Sequence, residues 1–335
     1  MTEENNNISQ EFLREIENID PAKIKNPHDR LFKWSLGRPD IMKEYLDYIL
    51  SKDLSEALNY ETLEATKANY VDDLIGETFS DLVYKINKTT GEGAVISLLF
   101  EHKSSPDKIT PLKLLRYITN AYFDNFKDGE TKQIIPILFY HGSSEWNIPG
   151  KLSEVLDGDI TPFENYTPEF EYIFTDLDEA ADLLDDTTKP ELKIFIEALR
   201  IANAEDIEEA NERFKNCLKI FREPYWSSEI LRVRFLQVFL LYQAKVSFLA
   251  QELNIFDIAK QAYPERSEEI MSLYDTIQKE ERANTLIELL ENKLNQPLPE
   301  DIDDKLNSAD KIKLVELTNR IFEINSYDDV REILD

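Results

Sequence analysis

The strongest constraint on the fold comes from two strand-like segments joined by a short turn. TFSDLVYKI (residues 78–86) and GAVISLLFEHK (93–103) are rich in β-branched and aromatic residues, and KTTGEG lies between them. Such a pair predicts an antiparallel hairpin. The run AVISLLF is apolar without alternation, which is typical of a strand buried on both faces. The second strand is therefore expected to lie inside the protein.

Helices and further strands are predicted around this hairpin. In NPHDRLFKWSLGRPDIMKEYLDYILSKDL, apolar residues recur at helical spacing with a break near Gly37 and Pro39, which indicates two helices. The other predicted elements are a strand near Tyr60 to Thr66, a helix from Thr110 to about Phe126, and a buried strand in QIIPILFYHG (133–142). Thr110 can cap its helix, with Pro111 in the first position.

The second half of the chain has a different pattern. Residues 142–187 are rich in loop-forming residues, and apolar recurrence at three and four residues then continues almost to the end. We therefore predict a polar lead (1–26), a mixed α/β domain with a loop-rich extension (27–187) and a helical C-terminal region (188–335). The fold class is α/β, with a mixed sheet flanked by helices.

Charge is distributed unevenly along the chain. The formal net charge is -29, of which the first 150 residues contribute -8 and the rest contribute -21. Nucleic-acid binding draws its affinity from Lys and Arg beside phosphates, so any DNA surface is expected on the first half. Such binding should be weak, or depend strongly on salt and divalent cations.

The sequence predicts a soluble, cytoplasmic protein without a membrane partner. Its first residues, MTEENNNISQEF, are polar and acidic, whereas a secretory signal has a basic start and an apolar stretch. No apolar run approaches the roughly 20 residues that cross a bilayer. The single cysteine, Cys217, excludes an internal disulfide and lies among apolar neighbours, which favours an inert core thiol over a nucleophile.

Three ionisable residues of the hairpin are candidates for a catalytic site. Side chains alternate along a strand, so Glu101 and Lys103 share a face, and the hairpin can bring Asp81 close to Glu101. Two carboxylates repel each other unless a cation relieves them, and Mg²⁺ takes such oxygen ligands. Asp, then Glu-x-Lys on the adjacent strand, is the sequence form of the PD-(D/E)XK nuclease site. Because charged triplets recur by chance, spacing alone is equally consistent with a strand-end Asp81 and a surface pair of Glu101 and Lys103.

The helix after the hairpin carries a second candidate surface. Lys113, Arg116 and Asn120 recur at spacings of three and four, so they form one polar face, opposite Leu115, Ile118 and Tyr122. This face can hold a DNA backbone, and the alternative is an ordinary solvated helix face. The three histidines are too scattered to form a zinc site.

Five successive runs resemble the signature blocks of a bacterial family. HDRLFKW (28–34), SDLVYK (80–85), LLFEHKSSPD (98–107), LLRYI (114–118) and ILFYHG (137–142) are similar to blocks of the Rpn family of recombination-promoting nucleases, also labelled "putative transposases". The resemblance implies a PD-(D/E)XK fold and DNA cleavage that depends on Mg²⁺ or another divalent cation such as Mn²⁺ or Ca²⁺. It places the metal carboxylates on Asp81 and Glu101 and the catalytic lysine on Lys103.

The resulting hypothesis is a DNA endonuclease that promotes recombination or acts in the processing of mobile-element or phage-related DNA. His28, Asp29 and Lys33 are expected to support the site from the first helix, and Lys113, Arg116 and Tyr117 to act as substrate or scaffold contacts. A homodimer is expected, because two symmetric sites cut both strands of a duplex most simply.

Two other hypotheses belong to different classes. One is a catalytically silent PD-(D/E)XK-fold module that binds a partner through its acidic helical half. The other is a complete transposase with three spaced carboxylates, which is disfavoured because neither a third carboxylate nor a DNA-reading helix-turn-helix is recognisable.

Overall fold

The predicted hairpin forms the middle of a five-stranded mixed sheet. The computed structural model describes residues 27–66, 82–91, 93–101, 106–127, 132–226, 228–247 and 252–335. In spatial order, the strands are β1 (Leu58–Thr66), β2 (Leu82–Lys88), β3 (Gly93–Glu101), β4 (Gln133–Tyr140) and β5 (Ile173–Asp176). β1, β2 and β3 pair antiparallel, whereas β3, β4 and β5 run parallel. The mixed α/β class is therefore confirmed.

The helices of the described residues outnumber the strands. They are α1 (Pro27–Leu36), α2 (Pro39–Ile49), α3 (Lys52–Glu56), α4 (Thr110–Lys127), α5 (Leu177–Asp182), α6 (Pro190–Ala202), α7 (Ile207–Ile220), α8 (Glu229–Val246), α9 (Ile255–Ala262), α10 (Ser267–Leu294), α11 (Glu300–Ser308), α12 (Lys311–Asn319) and α13 (Tyr327–Leu334). The predicted break near Gly37 is confirmed. A Cβ atom at Gly37 would lie 2.1 Å from the Lys33 carbonyl oxygen, so only glycine allows α1 to end this way.

Helix α4 covers one face of the sheet. β3 and β4 are parallel, so the chain between them must cross back along the sheet, and α4 makes this connection. Tyr117 of α4 packs with Val83 of β2 and Ile134 of β4. These two strand residues therefore lie on the face that α4 covers.

Helices α1, α2 and α6 cover the opposite face. The Tyr84 hydroxyl of β2 donates to the Leu36 carbonyl at the end of α1. The ring of Phe139 in β4 contacts Tyr45 of α2 and Phe195 of α6, with centroid distances of 6.1 and 5.8 Å. The sheet thus lies between two helical layers.

A buried ion pair joins α2 to α6. Arg38, which precedes α2, is 4% exposed, and Glu191 is 3% exposed. An Arg38 guanidinium nitrogen lies 2.7 Å from a Glu191 carboxylate oxygen, and a second contacts Asp40 at 2.8 Å. Burial opposes ionisation of Asp40, but Arg38 and Lys189 outweigh it and lower the pKa of that carboxyl.

The segment predicted as loop-rich contains two elements that the sequence did not reveal. β5 extends the sheet beyond β4, and α5 follows directly, with Asp176 capping it by accepting from the Glu179 amide. β5 has four residues, which is too short for an alternating pattern to stand out. The loop-rich stretch therefore contributes a short strand and a short helix that the sequence pattern did not single out.

Contacts divide the described chain into two compact units, residues 27–255 and 256–335. In the first unit, α6 packs on α7 and α8, and α8 packs on α1. The second unit has its own core between α10 and α13, built from residues such as Leu290, Leu306 and Leu314, all 0% exposed. The predicted division after residue 187 stays a prediction, while these contacts group α6 to α8 with the sheet.

None of the helices in the described ranges combines the length and apolar character that spanning a bilayer requires.

Cys217 is a free thiol with 0% exposure, and burial raises its pKa well above the ordinary value, as expected of an inert core thiol.

Removing one partner of the buried pair tests its role in holding α2 against α6. We expect Glu191→Ala to lower the free energy of unfolding by about 3 kcal/mol, because Arg38 loses one of two carboxylate partners in a buried setting. Urea unfolding followed by tryptophan fluorescence measures the change. Glu316→Ala, which removes an exposed partner of Arg320, is the control and should cost less than about 1 kcal/mol. Equal losses from both variants would contradict this account.

Candidate functional site

The three parallel strands end together at one edge of the sheet. Glu101, the last residue of β3, pairs with Tyr140, the last of β4, and Tyr140 pairs with Asp176, the last of β5. Ligand sites of open sheets with parallel strands lie outside the carboxyl ends of the strands. The edge defined by Glu101, Tyr140 and Asp176, here called the C-terminal edge, is therefore the first place to look for a site.

The predicted catalytic residues are only partly within the described chain. Glu101 lies at the C-terminal edge, and its neighbour strand β2 begins at Leu82, which pairs with Leu98. Asp81 and Lys103 lie outside the described residues. Among the residues that the structure describes, no group of three or more His, Cys, Asp or Glu side chains could hold a metal ion. The roles of Asp81, Glu101 and Lys103 stay predictions.

Helix α4 differs in detail from the sequence pattern. Its buried side is formed by Leu114, Tyr117, Ile118 and Ala121, whereas Tyr122, predicted on the apolar face, is 46% exposed. Thr110 was predicted as the cap, but its buried hydroxyl has no hydrogen-bond partner in the described part of the chain. The helix start is organised instead by Asp107, whose carbonyl accepts from the Thr110 amide and whose carboxylate accepts from the Ile109 amide.

Two predicted DNA contacts of α4 remain accessible in part. Lys113 is paired with Asp107 at 3.2 Å, and its side chain is 16% exposed. Arg116 is half-buried. Tyr117 is 6% exposed and packs on the sheet, so it has a scaffold position. Of this predicted set, only Lys113 and Arg116 offer charge to a ligand.

The residues predicted to support the site from the first helix lie on α1. His28 Nδ1 is 3.3 Å from the Tyr242 hydroxyl of α8, and the rings of His28 and His141 are 5.3 Å apart. His141 follows β4 on the face that Phe139 shares, which is the face opposite α4. Asp29 lies within α1, and Lys33 lies in its last turn. The structure thus brings His28 to His141 and Tyr242, on the side of the sheet away from α4.

A cavity of about 600 Å³ opens at the ends of β4 and β5. Its walls include Tyr140, Trp146, Asp176, Arg200, Asn203 and Arg213. None of these residues was singled out from the sequence. The signal that the sequence offered for this cavity was a tryptophan, Trp146, shortly after a predicted strand. Arg200 and Arg213 lie more than fifty positions further along the chain, and no local pattern connects them with Trp146.

The chain belongs to the family described as "Putative transposase, YhgA-like", whose model matches residues 26–229. This range includes the whole sheet and extends to the start of α8. The predicted relationship to the Rpn proteins is confirmed.

Three curated relatives illustrate the relationship. "Recombination-promoting nuclease RpnD" of Escherichia coli O157:H7 is 32% identical over 35% of this chain and 46% of its own length. "Recombination-promoting nuclease RpnA" of Escherichia coli K12 is 30% identical over 35% of this chain and 40% of its own. "Putative inactive recombination-promoting nuclease-like protein YjiP" of the same strain is 33% identical over 27% of this chain and 87% of its own.

The chain thus spans less than half of the length of RpnD and RpnA. No solved structure matches it.

Because Tyr117 packs against the sheet, we expect it to contribute more to stability than Arg116, and two substitutions test this difference. We expect Tyr117→Ala to lower the free energy of unfolding by about 3 kcal/mol, because it opens a cavity between α4 and the sheet. Arg116→Ala should stay within about 0.5 kcal/mol of the wild type. Urea unfolding measures both. A Tyr117→Ala protein as stable as the wild type would contradict the scaffold position.

Proposed function

We propose that the chain is a divalent-metal-dependent DNA endonuclease with a PD-(D/E)XK fold, active in the cytoplasm in recombination or in the processing of mobile-element or phage-related DNA. Asp81 and Glu101 are its metal carboxylates and Lys103 is its catalytic lysine. The observation that carries the proposal is the position of Glu101 in the sheet. Glu101 ends β3 at the edge where the parallel strands β4 and β5 also end. Family membership and the names of RpnD and RpnA support the same activity.

The pairing of β2 with β3 supports a shared site for the two carboxylates. Leu82 is opposite Leu98 and Val83 is opposite Ser97, so β2 begins opposite a residue that lies three positions before Glu101. We propose that Asp81 and Glu101 are diagonal neighbours on one face of this strand pair. Such positions are about 7–8 Å apart, within reach of two carboxylates that hold one cation.

The same register supports the role of α4. Val83 of β2 lies on the face that α4 covers. Position 101 pairs with Tyr140, which shares its face with Ile134 because both have even numbers in β4. We therefore propose that the site lies on the α4 side of the sheet, where Lys113 and Arg116 supply positive charge.

The donor set fits a hard cation. Carboxylate oxygens are the ligands that Mg²⁺ prefers, and a strand-edge position leaves room for the waters that it retains. Such a cation supplies Lewis acidity toward a phosphate oxygen and lowers the pKa of a bound water. Asp81 and Glu101 would hold it, and Lys103 would stabilise the charge that grows on the scissile phosphate and orient the attacking water.

A specific observation favours a second candidate. The chain matches 87% of the length of the relative YjiP, and the name of YjiP describes that protein as inactive. The catalytically silent interaction module therefore stays an alternative. Titration calorimetry with Mn²⁺ discriminates between them, since the silent module has no reason to bind a cation through Asp81 and Glu101.

Replacing the metal carboxylates tests the activity itself. We expect Asp81→Asn and Glu101→Gln each to lower Mg²⁺-dependent plasmid nicking at least 100-fold at low salt, because each removes a charged oxygen ligand while keeping the side-chain size. The matched control is Glu61→Gln, an exposed acid on β1, which should nick like the wild type. Wild-type activity in Asp81→Asn, or activity that survives a chelator, would exclude this site.

The ion pair on α4 gives a test of DNA binding. Lys113 is held by Asp107, so Asp107→Asn should free its charge and strengthen binding to a short DNA duplex several-fold at low salt. Lys113→Ala should weaken binding and lower the slope of log K against log salt concentration by about 0.9 if it contacts one phosphate. Fluorescence anisotropy over a salt series measures both, and Arg222→Ala on the turn after α7 is a charge-matched control. Unchanged slopes would remove α4 from the DNA surface.

Dimerisation is the last part of the proposal. Two symmetric active sites would cut the two strands of a duplex. Gel filtration with light scattering should give a mass of about twice 39.1 kDa, the mass of one chain. A mass of one chain at micromolar concentration would rule the dimer out.

A further inference from the structure

We infer that the cavity at the ends of β4 and β5 binds an unstacked nucleobase that carries an exocyclic amino group. The base belongs to the DNA strand that is cut, so the inference rests on the proposed function and names a feature of its substrate. It is drawn from the aromatic wall of the cavity, from its mixed polar lining and from its distance to Glu101.

The first observation is a wall of aromatic rings. Trp146 packs against Phe174 with 5.2 Å between centroids and 26° between planes, and against Tyr140 with 5.0 Å. All three residues line the cavity, where Trp146 and Phe174 are half-buried and Tyr140 is buried behind Trp146. Aromatic side chains are the usual platforms for unpaired bases, since every base offers a flat π-face.

The second observation is that the cationic groups of the cavity are held in place. Arg200 and Arg213 each donate to the carboxylate of Glu197 at 2.9 Å, and Arg213 also donates to Glu209 at 2.8 Å. The hydrogen bond from Arg213 is the main cause that lowers the pKa of Glu209, which therefore stays an ionised acceptor. The two guanidinium groups are thus oriented in advance beside fixed acceptors.

The third observation is the balance of charges in the lining. Two guanidinium groups face five carboxylates, those of Glu145, Asp176, Asp178, Glu179 and Glu209. A phosphate would be repelled by the carboxylates, and a compact cation would meet the guanidinium groups. A neutral heterocycle with donors and acceptors on one edge satisfies both kinds of group.

The excess of acceptors selects among the bases. Carboxylates accept hydrogen bonds from the amino groups of cytosine, adenine and guanine, and arginine donates to ring nitrogens and carbonyl oxygens. Thymine has no amino group and offers only its ring N3–H as a donor on the base edge, so it satisfies fewer carboxylates than an amino-bearing base. The cavity should therefore favour amino-bearing bases over thymine.

The fourth observation is distance along the C-terminal edge. Glu101 and Asp176 are separated by the two strand spacings from β3 to β5, which amount to about 10 Å. A DNA strand whose phosphate is cut beside Glu101 can therefore place a nearby base in the cavity. Unstacking that base costs a few kcal/mol, which is least at single-stranded or mismatched positions.

Binding of nucleosides tests the inference without any cleavage reaction. The full chain is titrated with deoxycytidine, deoxyadenosine and thymidine, and tryptophan fluorescence is recorded. We expect saturable quenching by the first two and at least five-fold weaker binding of thymidine. The quenching should disappear in Trp146→Phe, since Trp146 lines the cavity whereas Trp34 is buried elsewhere and Trp226 stacks on Phe221.

A variant that fills the cavity keeps the test specific. Ala204 lines the cavity, and Ala204→Phe should weaken deoxycytidine binding at least ten-fold. Ala57→Phe, at an exposed position after α3, is the matched control and should bind like the wild type. Circular dichroism of both variants establishes that they are folded. If Ala204→Phe does not fold, Glu145→Gln and Asp178→Asn together replace it, with an expected loss of the preference over thymidine.

The outcomes separate this inference from the proposed function. Absence of nucleoside binding, equal binding of thymidine, or binding of spermidine in place of nucleosides overturns the inference, even where the protein nicks DNA. Asp81→Asn should bind nucleosides like the wild type, because the described residues that line the cavity all lie between positions 140 and 213. Nucleoside binding by a protein that nicks no DNA with any divalent metal would support the cavity and overturn the proposed nuclease.

Discussion

Parallel pairing of β3 with β4 is the constraint on which the rest of the first unit depends. An antiparallel partner could have followed β3 after a short turn, but a parallel one requires the chain to return along the sheet. That return is α4, and it covers the face on which Tyr117 packs against Val83 and Ile134. Because β5 is also parallel to β4, three strands deliver their last residues to one edge. The position of Glu101 and the cavity beside Tyr140 are both consequences of this arrangement.

The sequence predicted the elements that have long or sharply bounded patterns. The hairpin, the break at Gly37, α4 and β4 all have enough residues, or a strong enough breaker, for periodicity to decide. β5 was missed because four residues carry no period, and the buried side of α4 is shifted from the predicted one because Tyr117 and Leu114, rather than Tyr122, meet the sheet. The cavity was missed because its walls come from β4, β5, α6 and α7, which only the folded chain brings together. The proposed catalytic residues still depend on the sequence: Glu101 ends β3, whereas Asp81 and Lys103 lie outside the described residues.

The acidic charge of the chain has partly structural causes. Asp176, Asp206 and Asp310 each accept a backbone hydrogen bond at the start of a helix, where a negative charge also meets the positive end of the helix dipole. In the second unit, Asp301 and Asp328 pair with Arg331. Such carboxylates stabilise helices and are not evidence against a DNA substrate. Under the proposed function, DNA would approach at the C-terminal edge, where a divalent cation and the α4 cations would offset the repulsion.

The central proposal is that Asp81 and Glu101 hold one cation at the C-terminal edge of the sheet. Crystals grown with Mn²⁺ test it most directly, because anomalous scattering locates the ion independently of any activity. We expect one strong peak at the C-terminal edge, with a carboxylate oxygen of Asp81 and one of Glu101 each about 2.0–2.3 Å away, close to the distances of Mg²⁺. A well-ordered site in which these carboxyl groups lie on opposite faces of the sheet, with no ion between them, would contradict it.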